Sequence, residues 1–202
     1  MAVAQDDDPI APLSVNVADL SDACVRFVQG TLGILLDFTP DTLPILDHYL
    51  LEARKTPRAE ILQLIAPAAG AYFGEVVKAS LGPCRWYLEG DGPESVRLEF
   101  ERCFLGFNPI GAALEAVLGE EAPGYGAHLQ VLPSEAALVR ESLERTGDVR
   151  REDYYRLAVR FEVIEQIATL LTARMADEEN PPVIGPEVYA ALRDQPTKLT
   201  LN

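Results

Sequence analysis

Residues 84–107 read CRWYLEGDGPESVRLEFERCFLGF, and the fold class turns on them. Aromatic residues crowd both ends, Val96, Leu98 and Phe100 alternate with charged neighbours, and Gly90-Asp91-Gly92-Pro93 stands between the two halves. Period-two alternation interrupted by Gly, Asp and Pro is the pattern of an antiparallel hairpin with one buried face. Asn108-Pro109 ends this strand region, and HLQVL, within residues 127–132, reads as one more strand after a Gly-rich link from Gly119 to Gly126. Around it the periodicity is helical.

Immediately upstream lies the most apolar segment, residues 58–81. Ile61, Leu62, Leu64, Ile65, Ala68, Ala69, Tyr72, Phe73, Val76 and Val77 cover more than one face of a helix. Such wrapping predicts a central helix with neighbours on several sides. Pro67 is expected to bend or divide it, because the ring removes one hydrogen bond and meets the preceding turn. Gly70 and Gly74, four apart, leave a gap through which another backbone can approach closely.

Other elements follow by the same logic. A first helix spans roughly 18–31, with Gly30 and Gly33 near its end, and GILLDF follows as a short apolar extended segment. Thr39-Pro40 opens the next helix as cap and first position, with Leu43, Leu46, Leu50 and Leu51 as its stripe. After a short helix at 110–118, Ser134 caps another to about Arg145, and Leu157, Phe161, Ile164, Ile167, Ala168 and Leu171 mark an amphipathic helix over 151–175. A turn or two around Pro186 to Arg193 completes the series. The expected architecture is α+β and mostly helical, with a small antiparallel sheet of about three strands packed on helices. A flexible acidic segment at 1–16 precedes one domain over 17–195, and a polar tail occupies 196–202.

Composition limits what such a domain does. The 202 residues carry 32 Asp and Glu against 17 Lys and Arg, a net charge of −15. Binding nucleic acid through its phosphates needs a cationic face, and the densest basic stretch, Arg145 to Arg160, is interleaved with acids and reads as a solvated helix surface. Three cysteines, Cys24, Cys84 and Cys103, lie far apart and suit a reducing cytoplasm rather than a disulfide framework. The aspartates near the N-terminus argue against a secretory leader, and a membrane span would need about 18 uninterrupted apolar residues, which do not occur.

Chemical signatures are few. The sequence has no Walker loop, no GxGxxG after a strand, no HExxH and no GxSxG, and its two histidines cannot build a multi-histidine metal site. No catalytic residue, metal or cofactor is therefore assigned. Chain distance does not prevent Cys103 and His128 from meeting as nucleophile and base, but a buried free cysteine ordinarily behaves as a small hydrophobe. His48 is expected to contact Glu52 one turn on. Glu75, on the central helix, needs a donor or a cation, with Lys78, Arg85 and Arg97 as candidates. Trp86 and Tyr87 point to opposite faces of the sheet, and the outward one is a binding anchor.

LDFTPDTLPILDHYL at 36–50, GAYFGEVV at 70–77 and RWYLE at 85–89 together resemble a pattern in small uncharacterised bacterial cytoplasmic proteins, some associated with polymorphic-toxin immunity or accessory genes. The matching positions are Asp37, Leu46, Asp47, Gly70, Tyr72, Gly74, Glu75 and Trp86. The resemblance implies no established activity and favours a protein that binds another protein.

The functional expectation is a non-enzymatic, cytoplasmic protein-binding module that presents an acidic surface to a partner with a basic one. Asp41, Asp47, Glu52 and Glu75 are its candidate carboxylates and Trp86 its apolar anchor. One alternative is a small-molecule sensor or unrecognised enzyme with a pocket near Glu75, Tyr72 and Arg85. Another is a structural subunit that self-associates through the 151–175 helix.

Overall fold

Asn16 opens the ordered sequence of elements by accepting the backbone N–H groups of Ala18 and Asp19 on its side chain, so the first helix, α1 (Val17–Leu32), starts at a satisfied cap. It closes at Gly33, whose left-handed backbone (φ 71°) returns an N–H to the Gln29 carbonyl. The computed structural model describes residues 16–55, 59–88, 92–147, 149–150, 153–176, 183–192 and 197–199. All but the last residue of the 1–16 segment lies outside the described residues. So do Gly90 and Asp91 of the Gly90–Pro93 turn.

A single 3₁₀ turn, Pro40–Thr42, precedes α2 (Leu43–Arg54). Thr39 does not cap as expected: its hydroxyl and its N–H both go to the Asp37 carboxylate, at 2.6 and 3.0 Å. The central helix α3 (Ala59–Leu81) runs through Pro67 as one element rather than dividing there. Every residue from Ala68 to Phe73 is buried, and packing against α1 and against the later helices Pro109–Leu118 and Leu157–Ala176 outweighs one missing hydrogen bond.

The sheet is a five-stranded antiparallel meander in chain order: β1 (Cys84–Tyr87), β2 (Arg97–Phe100), β3 (Leu105–Phe107), β4 (Leu129–Val131) and β5 (Thr197–Leu199). Two strands exceed the expectation. Glu101–Phe104 break the run expected to be continuous, so Leu98 pairs back onto Phe107, and Thr197–Leu199, inside the expected tail, pair with β4. The break has a physical cause in Tyr189. Its hydroxyl lies 2.8 Å from the Phe100 carbonyl and 2.9 Å from that of Leu105, and accepts the Leu105 N–H at 3.1 Å.

Register places Cys84, Trp86, Leu98, Phe100, Leu105, Phe107, Leu129 and Val131 on one face. That face meets α3, where the Phe73 and Phe107 rings stand edge to face at 5.9 Å. Arg85, Glu99, Gly106 and Gln130 share the other face, which α7 (Pro186–Leu192) covers with Tyr189.

Three helices remain. In α4 (Pro109–Leu118), Asn108 caps the start through the Gly111 N–H and Gly119 ends it in a left-handed conformation. The next, α5 (Ala136–Thr146), begins two residues past Ser134, and its cap position, Glu135, supplies no side-chain hydrogen bond. Last, α6 (Leu157–Ala176) starts six residues later than the periodicity predicts. Its stripe, from Leu157 to Leu171, is buried in the chain's own core, which leaves that apolar face unavailable for self-association. No helix among the described residues is long and apolar enough to cross a membrane.

Gly70 sets the spacing of the core. A Cβ there would lie 2.5 Å from the Ile110 Cα, a backbone atom that cannot step aside. Gly70→Ala is therefore expected to lose about 1–3 kcal/mol in urea denaturation, despite the better helix propensity of Ala. Gly30, in α1 with nothing within 4 Å, is the control. Gly30→Ala should gain about 0.5–1 kcal/mol, and equal effects at the two sites would remove the packing explanation.

Candidate functional site

The GAYFGE segment turns out to be a set of fitted contacts. Gly70 admits the Pro109–Ile110 backbone, and Gly74 admits the Trp86 indole, whose ring atoms would lie 2.2 Å from a Cβ at that position. Between them Tyr72 is fully buried, its hydroxyl 2.8 Å from the Thr42 hydroxyl and accepting the Phe38 N–H at 2.9 Å. Burial raises the Tyr72 pKa, so the hydroxyl stays protonated as a structural pin.

Glu75 then accepts the Trp86 indole N–H at 2.6 Å. This corrects the expectation of a cationic partner for Glu75. Arg85 cannot serve, because the strand turns it to the opposite face, where its Nε donates to Glu99 at 3.0 Å, its Nη1 donates to the Ile184 carbonyl and its guanidinium lies over the Tyr189 ring. Glu75, Lys78 and Trp86 line an open groove with Asp22 and Leu88 of which neither Tyr72 nor Arg85 is part. The pocket expected around Glu75, Tyr72 and Arg85 does not form as one site.

The carboxylates of α2 also separate. Asp41 is exposed, and Glu52 pairs with Lys55 at 2.5 Å and also feels His48 one turn back. Asp47 reaches across the fold: its two oxygens accept the N–H groups of Leu157 at 2.7 Å and Ala158 at 3.0 Å. It is the N-cap of α6, delivered from a helix 110 residues earlier. Burial raises its pKa to about 6, against the lowering effect of those two N–H groups and of Arg156 and Arg160.

Two features were not read from the sequence. The first is the loop from Gly33 to Thr39. Phe38 holds φ at 62°, a left-handed conformation rare for an aromatic residue, and is kept there by Tyr72. The loop leaves Ile34 and Leu35 exposed at 43% and 60%. GILLDF, expected as an apolar extended segment, thus presents its first two large side chains to solvent and buries only Leu36 fully. Its apolar composition alone could not reveal which way each side chain points.

The second is a cavity of about 170 Å³ between the sheet, α4 and α6, lined by Phe73, Phe107 and Leu129 from below and by Tyr154, Tyr155 and Arg160 above. Arg160 belonged to the stretch read as solvated, yet its side chain is 12% exposed and bonded to Glu115, itself 3% exposed. Arg150 and Arg156, at 74% and 53%, do fit that reading. His128, on the rim, pairs with Glu121 at 3.1 Å. Cys103 is buried beside Thr172, and burial lifts its thiol to about 11, so it is no poised nucleophile. Cys24 and Cys84 are lifted to about 12 by the same cause.

No family model, curated protein or solved structure matches the chain.

Asp47 yields a pH signature. Its folded value, about 6, lies above the ordinary 3.8, so the folded chain holds a proton that the unfolded chain binds only at lower pH. The stability linked to this proton is thus fully present below about pH 4 and lost as pH rises through about 6, while the cap hydrogen bonds remain. Asp47→Asn should remove that segment from the stability profile, while Asp47→Ala should cost about 1–2 kcal/mol at neutral pH as an uncapped helix end. Urea midpoints of the three proteins from pH 4 to 7 check both, and parallel profiles for wild type and Asp47→Asn would refute the titration.

Proposed function

We propose that this chain is a non-enzymatic protein-binding module, docking a partner of basic surface on the Gly33–Thr39 loop. The observation that carries the reading is the pair Ile34 and Leu35, adjacent, apolar and exposed on a loop whose backbone is locked by Phe38 and Tyr72. Exposed apolar residues scattered singly need no explanation. A rigid pair is different, because it offers contact area with little ordering cost on binding.

Carboxylates flank the pair. Asp37 and Asp41, two and six residues along the chain from Leu35, are exposed, and the Thr39 hydroxyl hydrogen bond lowers the Asp37 pKa, which keeps that group ionised. An apolar centre with an anionic rim favours a cationic partner and speeds encounter. The net charge of −15 adds a long-range attraction of the same sign. The resemblance to small uncharacterised bacterial proteins, some associated with polymorphic-toxin immunity or accessory genes, tilts the same way without implying an activity.

Of the carboxylates named from the sequence, Asp41 remains in this surface. Asp47 serves α6, Glu75 serves Trp86, and Glu52 is paired with Lys55.

The double variant Ile34→Asp, Leu35→Asp should fold as wild type, since both side chains are already solvated, and should lose the proteins that the wild type captures from bacterial lysate. Asp41→Lys should weaken the same capture, as should raising the salt from 50 to 500 mM. Retention of an unchanged partner set by the double variant would end this assignment.

A further inference from the structure

We propose that the groove between α2, the end of α4 and the start of α6 binds a small phosphate monoester, with arginines on the phosphate and an apolar strip beside the ester group. The groove shares no residue with the Gly33–Thr39 loop, so it stands or falls apart from the docking function.

Charge singles this place out. In a chain of net charge −15, Arg54, Arg150 and Arg156 line one groove of about 950 Å³. Two carboxylates share it, and both are engaged. Asp47 is turned into the start of α6, where it accepts the Leu157 and Ala158 N–H groups. Asp153 lies 2.6 Å from Arg150 and 2.9 Å from Arg156, so a single negative charge is shared between two guanidinium groups. Arg54 is exposed and has no ion pair or hydrogen bond among the described residues. The negative field of the whole chain does not cancel this local excess, because at physiological ionic strength charges are screened over about 8 Å.

Arg54 is positioned as well as unpaired. It stands in the last turn of α2, and its guanidinium lies so close to Gly119, the left-handed residue that ends α4, that a Cβ there would collide with it. The carbonyl end of a helix attracts a cation weakly, which orients the guanidinium without neutralising it.

Geometry selects the anion. A carboxylate offers one planar edge, which a single guanidinium fork fills. Here the cations come from two separate stretches of chain, the end of α2 and residues 150–156. A phosphate monoester carries a charge of about −1.5 to −2 and three terminal oxygens, and it can accept from both stretches at once. The ester group has its own wall. Leu51, 46% exposed and one turn before Arg54, lies with exposed Pro44 on the groove side of α2, and half-buried Ala158 and Val159 face the same groove from α6. The volume falls within the range of about 300–1,000 Å³ usual for small-molecule sites.

Phenyl phosphate is the probe. Titrated into the full chain at physiological salt, it should shift the backbone N–H signals of Leu51, Arg54 and Gly119 saturably and raise the melting temperature. Inorganic phosphate lacks the ring, benzoate lacks the third oxygen and the second charge, and benzylamine carries the opposite charge; each should bind at least tenfold more weakly. Arg54→Gln, at an exposed and unpaired position, should keep the wild-type melting temperature in the absence of ligand and bind phenyl phosphate at least tenfold more weakly. Leu51→Glu, which places an anion on the apolar strip at another exposed position, should abolish binding and serves as the test if Arg54→Gln fails to fold. No saturable shift by phenyl phosphate up to about 10 mM overturns the proposal. So does any comparator that binds as tightly, or undiminished binding by whichever variant folds.

Discussion

The closeness with which α3 is approached at Gly70 and Gly74 governs the rest of the molecule. One missing side chain lets the backbone at Ile110 press onto the helix, and the other admits the Cζ2–Cη2 edge of the Trp86 ring. Helix to helix and helix to sheet distances are set there by steric contact rather than by hydrophobicity, which is non-directional. Tyr72 and Phe73, between the two glycines, are placed by that spacing: Tyr72 against Thr42 and Phe38, Phe73 against Phe107. The locked conformation of the Gly33–Thr39 loop is therefore a consequence of how α3 is seated. The cavity, whose floor includes Phe73 and Phe107, is another.

Charge is used inside this acidic protein with economy. Asp47 satisfies the start of α6, Glu115 binds Arg160, and Glu99 binds Arg85. Asp47 and Glu115 join helices far apart in the chain, and Glu99 ties neighbouring strands. Such pairs add little net stability over apolar packing, but removing one partner leaves a charge stranded. They act as registration points, fixing where α2 meets α6 and where α4 meets α6. Asp19, Asp37, Asp41 and Glu141 lie outward, where they keep the surface anionic.

Particular residues show where sequence reading succeeded. The alternation at Val96, Leu98 and Phe100, the all-round apolar character near Tyr72, and the glycines four apart each carry a local signature, and the α+β class with a central helix follows from them. The candidate site was less legible. Glu75 called visibly for a partner, yet Trp86, which supplies it, could be chosen only once strand direction separated Trp86 from Arg85. Arg160 sat in a run whose alternating charges matched a solvated surface, because periodicity reports which residues share a face but not which face a neighbour will cover. GILLDF read as an apolar extended segment, and its composition does not show that Ile34 and Leu35 face solvent.

By itself the sequence determined the helices, the hairpin, the acidic balance and the need for close approach at Gly70 and Gly74. These depend on neighbours within a few residues or on counting. Tertiary structure alone decided that Pro67 does not divide α3, that Tyr189 breaks the strand at Glu101–Phe104, that Asp47 caps α6, and that Arg160 is enclosed with Glu115. Those outcomes are set by contacts between residues as many as 111 positions apart. A long-range contact leaves no period in the chain, because its geometry exists only after the helices and strands have packed.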